Sequence, residues 1–212
     1  MAYQLPNGST FEFASGYTPY YTITAITRAA NAVCTAAGHT LTVNQIVMIK
    51  SGWWDLDGRA FRVSAVSGST FTLAGADTTD TKRNTGTNYG SVRGVTTWVQ
   101  VPQILNLTLS GGEQQYTTFS PSRSGKEVSR PTTKSAATMT IEVADDKSLP
   151  LFSTIELAAE TEDTQVQRLT LINQDLILYA SLASMTKTPT MQRDQLMTRT
   201  ITLALQGDNT RY

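Results

Sequence analysis

Alternating apolar and polar residues dominate the second half of the chain. In residues 137–143, one side of a predicted strand carries the apolar residues Ala137, Met139, Ile141 and Val143. The other side carries two threonines and Glu142. A period of two is typical of a strand with one buried and one solvated face. Residues 197–205 repeat this pattern, with Arg199 interrupting the apolar row near the predicted strand end.

A third alternating segment contains Leu105, Leu107 and Leu109 on one face, with Asn106 and Thr108 on the other. The dipeptide Gly111-Gly112 follows it directly and precedes residues 113–119. A glycine pair between two such segments is typical of a tight turn. The sequence therefore predicts a hairpin that runs from the leucine strand into residues 113–119.

Shorter apolar segments occupy the first half of the chain. They are rich in β-branched or aromatic residues and are bounded by Gly, Ser or Asn, which predicts strands at residues 21–27, 45–50, 59–66 and 70–74. The Thr-, Asp-, Asn- and Gly-rich stretch 75–94 has no sustained apolar period and is predicted to be a long connection. We place the end of a small β-module near Val95.

One segment has helical spacing. Leu151, Phe152, Ile155, Ala158 and Ala159 recur at intervals of three and four, which predicts a helix over residues 149–160. Pro150 fits a first helical turn. The preceding side chains of Asp145, Asp146 and Ser148 are predicted to cap the helix N-terminus.

The charge is balanced over the whole chain but segregated along it. Seventeen basic residues match seventeen acidic ones, so no global basic field favours nucleic acid or an anionic membrane. Residues 119–134, however, form a predicted basic loop or hairpin, and residues 142–163 are acidic. Contact between such segments on neighbouring copies would build rings or filaments, although two solvated faces explain the pattern equally well. The candidate contact residues are Arg123, Lys126, Arg130, Lys134, Glu142, Asp145, Asp146, Glu156 and Glu160.

Composition narrows the class of protein further. Threonine, a strand-favouring residue that keeps one sheet face polar, occurs 35 times. The lone Cys34 excludes an intrachain disulfide and every multi-cysteine zinc pattern. The apolar runs are too short to cross a bilayer, and the first ten residues do not resemble a secretion signal. We expect an unsecreted protein without membrane insertion.

Few residues are candidates for catalysis or for binding a metal or nucleotide. His39 lies in a predicted turn, and no nucleophile elbow accompanies it. The segment beginning at Asp55 resembles the start of a calcium loop, but Val66 stands where that loop needs a bidentate glutamate. Gly86, Gly90 and Gly94 lack the lysine and helix of a nucleotide-binding loop. We therefore expect no catalytic, cofactor or metal site and predict that the protein is not an enzyme.

Aromatic residues offer an alternative function. Trp53 and Trp54, with Tyr89 and Trp98, suggest a sugar-binding platform on a monomeric β-sandwich that would bind carbohydrate or mediate adhesion. Consecutive strand residues point to opposite faces, so one of the two tryptophans is expected in the core and the other partly exposed.

The segment from Trp98 through Leu109 to Tyr116, the basic loop, Ser135 to Asp146 and Leu149-Pro150 resemble the tail tube protein of long-tailed, non-contractile bacteriophages. The resemblance covers residues 1–23 and 96–212. It leaves residues 24–95 as an inserted small β-barrel module, expected to be an outward decoration outside the shared core.

This resemblance implies a mainly β fold, a β-sandwich with one flanking helix. It implies hexameric rings that stack into a conduit for double-stranded DNA, with the basic loop as a ring-stacking element. The implied partners are further copies of the chain and the tape-measure, tail-tip and terminator proteins. The implied location is the virion tail, after synthesis in the host cytoplasm. No cofactor is implied.

Overall fold

The computed structural model describes residues 8–120, 125–146, 148–191, 193 and 195–212. These residues form a mainly β fold with a large antiparallel sheet, as predicted. The helix α1 spans Pro150–Thr161. The strands are β1 (Thr10–Tyr17), β2 (Tyr21–Ile23), β3 (Ala25–Ile26), β4 (Val33–Thr35), β5 (Ile46–Ser51), β6 (Arg59–Ser67), β7 (Thr70–Leu73), β8 (Gly90–Gln100), β9 (Ile104–Ser110), β10 (Gln114–Phe119), β11 (Val128–Lys134), β12 (Thr138–Ala144), β13 (Gln165–Thr170), β14 (Leu176–Met185), β15 (Thr198–Leu205) and β16 (Thr210–Arg211).

The sheet follows the order β3-β4-β7-β6-β5-β8-β1-β13-β14-β15-β12-β9. Its first part contains the predicted short strands, and Ser67 and Thr70 close the hairpin between β6 and β7. These strands enclose an apolar cluster that includes Cys34, Trp53, Phe61 and Phe71, each at most 3% exposed. Residues 24–95 thus bury a core of their own.

Strand β8 differs from the expected connection, because it begins at Gly90 and runs through the predicted boundary at Val95. Its first half pairs with β5, and its second half pairs with β1. Gly90 is needed within the strand, since a Cβ atom there would lie 2.0 Å from the Lys50 carbonyl oxygen. The glycine that suggested a loop is therefore a packing requirement.

A second apolar cluster joins residues 24–95, called here the first part of the chain, to the remaining residues, called the second part. Ile46, Met48 and Ala60 from the first part pack with Val166 and Leu178 from the second. Burial of shared apolar surface favours a fixed relative position of the two parts. Residues 24–95 are therefore packed against the rest of the subunit as well as against themselves.

Buried charge reinforces this junction. Arg93 on β8 lies between the rings of Tyr17 and Tyr20, with its Cζ atom 3.9 and 4.9 Å from the two ring centroids. Its Nη1 atom lies 2.6 Å from Asp163 Oδ2, and Asp163 also accepts a hydrogen bond from Lys50 Nζ at 3.2 Å. Because Asp163 follows α1 and Lys50 lies on β5, this group links the two parts. We call it the Arg93 clamp; its members are Arg93, Asp163, Lys50, Tyr17 and Tyr20.

Helix α1 lies where the sequence predicts it, over the apolar face of β12, β14 and β15. Leu151 and Ile155 are fully buried in one apolar cluster with Met139, Ile141 and Ile201. The predicted capping is wrong, because Leu149 occupies the N-cap position and no side chain caps the helix. Instead, Asp146 accepts hydrogen bonds from the Ser148 backbone N–H and hydroxyl. Asp145 forms an ion pair with Arg199 at 2.7 Å.

The predicted hairpin between β9 and β10 is also wrong. Strand β9 pairs with β12, and β10 pairs with β11. Gly111 and Gly112, with φ values of 81° and 79°, join β9 to β10 without pairing them. Between the two ladders, Ser135 N–H donates to the Glu113 carbonyl oxygen at 2.9 Å. The result is a two-stranded projection, β10 and β11, which we call the arm.

Candidate assembly surfaces

The side of the sheet opposite α1 is rich in hydroxyl groups. Residues paired directly across antiparallel strands share one face. In this way Thr108, Thr140, Thr202 and Ser184 form a row across β9, β12, β15 and β14. A parallel row contains Asn106, Glu142 and Thr200. The predicted alternation is thus confirmed, and it produces a continuous polar surface, here called the hydroxyl face.

Charge is nearly absent from the hydroxyl face. Across the described pairings of these four strands, Glu142 is the one charged residue on this side. Its Oε1 atom accepts a hydrogen bond from the Thr198 hydroxyl at 2.9 Å. Arg199, which interrupts the sequence pattern, lies on the other side, where its guanidinium is 5.1 Å from the Phe152 ring. The hydroxyl face is therefore neutral to acidic.

The sheet ends at β9 with an exposed apolar row. Leu107 and Leu109 lie opposite the buried Ile141 and Met139, so they extend the face that α1 covers. The two leucines are nevertheless 36% and 58% exposed. The other edge of β9 has no strand partner among the described residues. Strand β9 thus combines an unpaired edge with uncovered leucines, which is typical of a surface that pairs with another chain.

Apart from the half-buried Gln114 at its base, both strands of the arm are exposed, and they carry apolar residues together with the predicted basic ones. Tyr116 and Phe119 are 64% and 43% exposed. Arg130 lies with its Cζ atom 5.9 Å from the Phe119 ring. Lys134, at the arm base, is 3.5 Å from Asp208 in a solvent-exposed ion pair. Of the other two predicted contact residues, Lys126 lies at the arm tip and Arg123 lies outside the described residues.

The predicted acidic residues do not form one surface. Glu142 lies on the hydroxyl face, whereas Glu156 and Glu160 lie exposed on α1, on the opposite side of the sheet. Asp145 is held within the subunit by Arg199. Glu156 also approaches Arg199, at 3.9 Å. On the monomer, the helix residues are the ones that face solvent most fully.

The remaining candidates occupy structural positions. Trp53 is 3% exposed and Trp54 is 72% exposed, so one is in the core and the other in solvent, as expected. The predicted reason, alternation along a strand, is wrong, because both residues lie in the turn between β5 and β6. Asp55 bonds to Asn84 and pairs with Arg83, which supports the turn interpretation over a calcium loop. His39 packs edge-on against Phe71. In the described part of the chain, no group of three potential metal ligands occurs, and no helix is long and apolar enough to span a membrane.

Sequence reasoning missed the Arg93 clamp. Arg93 stands among glycines and threonines in a segment read as a loop, and its partner Asp163 is 70 residues away. Burial opposes ionisation of Asp163, but Arg93, Lys50 and Tyr20 together hold the pKa of this carboxyl below its usual value. The clamp therefore consists of ionised partners, and no local pattern reveals such a pairing.

An exposed apolar edge, a polar face with Glu142 as its one charged residue among the described pairings, and a projecting arm are typical of a structural protein that contacts other chains. The model of the phage tail tube protein family matches residues 51–212, and the chain belongs to that family. The match begins within β5 and so includes much of the predicted insert. The protein is thus a structural component of the phage tail.

The other comparisons add less. A search of curated proteins finds no match. One similar solved structure is the six-fold symmetrised cryo-EM structure of the anti-feeding prophage baseplate. It has 11% sequence identity and a TM-score of 0.38, and the alignment covers 83% of this chain and 97% of the other. A TM-score this low does not establish a shared fold.

Proposed function

We propose that the protein assembles through β9 into stacked rings, which we expect to be hexameric, and that these rings form the tail tube for double-stranded DNA. The observation that carries this proposal is that β9 has both two exposed leucines, Leu107 and Leu109, and an edge without a strand partner among the described residues. A neighbouring copy that adds a strand there would satisfy the free backbone groups and cover the leucines in one contact.

The hydroxyl face suits the wall of a water-filled lumen. Each phosphate that a Lys or Arg neutralises releases counterions and adds affinity, which would retard DNA in transit. Hydroxyl groups instead bind water, and Glu142 repels phosphate. A lumen lined by this face would guide DNA without holding it.

The arm supports ring stacking. It extends beyond the sheet and carries both apolar and basic groups, whereas the outer side of α1 presents Glu156 and Glu160. Opposite charges would set the register between rings, while burial of Tyr116 and Phe119 would supply affinity. We expect the tape-measure, tail-tip and terminator proteins to bind the ends of the stacked rings.

Electron microscopy of the purified protein tests the proposal. Rings or tubes with six-fold symmetry are expected. A chain that remains monomeric at high concentration by size-exclusion chromatography would contradict assembly and favour the monomeric carbohydrate-binding alternative.

A deletion separates stacking from ring formation. Removal of residues 121–133 is expected to leave a folded subunit that cannot form tubes, since the arm contributes little to the buried core. Tubes of normal length from this variant would exclude the arm from stacking, without bearing on the role of β9.

A further inference from the structure

A cleft of about 410 Å³ lies on the first part of the chain, away from β9, the hydroxyl face and the arm. Its volume is within the range of small-ligand sites. It shares no lining residue with the candidate assembly surfaces. Its lining residues are Ile26, Arg28, Trp53, Gly86, Thr87 and Asn88.

The floor of the cleft is fixed by its own contacts. Trp53 Nε1 donates a hydrogen bond to the Gly86 carbonyl oxygen at 3.0 Å. The Arg28 Cζ atom lies 5.5 Å from the centroid of the Trp53 ring, and Arg28 Nη2 donates to the Asn84 carbonyl oxygen at 3.0 Å. A guanidinium held in this way is oriented before any ligand arrives, which lowers the entropic cost of binding.

The wall of the cleft is equally constrained. A Cβ atom at Gly86 would lie 2.2 Å from the Gly52 carbonyl oxygen, so the two backbones approach as closely as glycine allows. Gly86 is followed by Thr87 and Asn88, so this contact also positions their side chains at the cleft.

Several polar groups at the cleft retain hydrogen-bonding capacity. A guanidinium has five N–H donors, and Arg28 uses its Nη2 group on Asn84. Among the described residues, no hydrogen bond engages the Thr87 hydroxyl or the Asn88 side-chain amide. No carboxylate lines this cleft. A second cleft nearby contrasts with it, because there Asp55, Asp77 and Asp80 accompany Arg59 and Arg83.

We propose that the Arg28 cleft binds an anionic oligosaccharide. The guanidinium would hold the acidic group, and Thr87 and Asn88 would bond to sugar hydroxyls. The acidic group is a carboxylate, as in uronic acids, or a phosphodiester, as in polyol-phosphate glycans.

Fluorescence anisotropy with the full chain and three labelled probes tests this proposal. The probes are an oligogalacturonate, a glycerol-phosphate oligomer and a neutral cello-oligosaccharide. One of the acidic probes is expected to bind more tightly than the neutral one, and its identity assigns the acidic group. Arg28→Ala is expected to weaken that binding by about tenfold or more, the loss of a charge-assisted contact.

Lys82→Ala is the matched control, since it removes a positive charge from an exposed position of the same module outside the cleft. Its binding is expected to equal that of the wild type. Asn88→Ala provides a second cleft variant that keeps the charge and is also expected to bind more weakly. Failure of both acidic probes to bind, equal binding of the neutral probe, or equal losses in Arg28→Ala and Lys82→Ala would overturn the proposal. None of these outcomes depends on tube assembly.

Discussion

Residues 24–95 and residues 104–134 are both rich in strands, but they differ in how far their apolar side chains are buried. The first region encloses Phe61, Phe71 and Trp53 in its own core. The second leaves Leu107, Leu109 and Tyr116 in contact with solvent. Strand propensity is thus sufficient to form strands in both regions, whereas burial depends on what lies across from them. The first region finds its apolar partners within the chain, whereas these side chains of the second region remain uncovered in the subunit.

The largest expected effect comes from placing negative charges on the exposed edge strand β9. Leu107→Asp combined with Leu109→Asp should abolish ring and tube formation, because each buried leucine contributes about 1.5–3 kcal/mol to a contact. The isolated subunit should lose only about 1 kcal/mol, about 0.5 kcal/mol for each exposed side chain. Electron microscopy and urea unfolding measure the two effects.

Leu157→Asp is the control for this pair, because Leu157 is 62% exposed on the outer side of α1, away from the edge. This variant should still form rings. Normal tubes from the double edge variant would show that β9 is not the contact surface.

The next largest effect concerns the junction between the two parts of the chain. Arg93→Ala should lower the free energy of unfolding by about 3 kcal/mol, because it leaves Asp163 partly buried without its closest partner. Lys50→Ala removes a more exposed partner of the same carboxylate and should cost at most about 1 kcal/mol. Equal losses in the two variants, measured by urea unfolding, would contradict the clamp.

A smaller effect is expected at Tyr212, whose hydroxyl donates to the Ala74 carbonyl oxygen and accepts from the Arg62 N–H, each at 2.9 Å. Tyr212→Phe should cost about 1 kcal/mol, the usual contribution of such hydrogen bonds. Tyr21→Phe, which removes an exposed bond to Thr40, should cost less. Thermal unfolding of both variants measures the difference, and an unchanged melting temperature for Tyr212→Phe would exclude a role in the junction.

The smallest effect is the pH dependence of the clamp. The pKa of Asp163 is lowered in the folded protein, so its contribution to stability is present above the unfolded pKa of about 3.9 and is lost as the pH falls through the lower folded pKa. Urea unfolding at pH 7 and near pH 3 should therefore show a wild-type advantage over Asp163→Asn that shrinks in acid. A constant difference would show that Asp163 acts without its charge.

Local patterns predicted much of this fold. The short strands, the turn at Gly68, the helix α1 and the alternation that creates the hydroxyl face all follow from neighbours within a few residues. The sequence does not predict strand β8, because a glycine such as Gly90 usually indicates a loop. In the structure, Gly90 instead allows close approach of the Lys50 backbone, which is distant in sequence. The partners of β9 and β10 were wrong for the same reason, since a glycine pair indicates a change of direction and does not specify which strands pair.

The candidate surfaces were predicted less completely. The sequence identified the basic segment, but it could not show that Lys134 pairs with Asp208 or that Asp145 pairs with Arg199. It also identified the leucine row without revealing that the row remains uncovered. Ion pairs and exposure depend on the three-dimensional path of the chain, and periodicity carries no information about either.

The position of Cys34 has a consequence for the resistance of the protein to oxidation. Its thiol is fully buried in the core of the first region, and burial raises the pKa of Cys34 to about 12. The reactive thiolate is therefore scarce at neutral pH, and oxidants have no route to the sulfur. Cys34 is therefore not expected to form a disulfide with another chain while the protein stays folded.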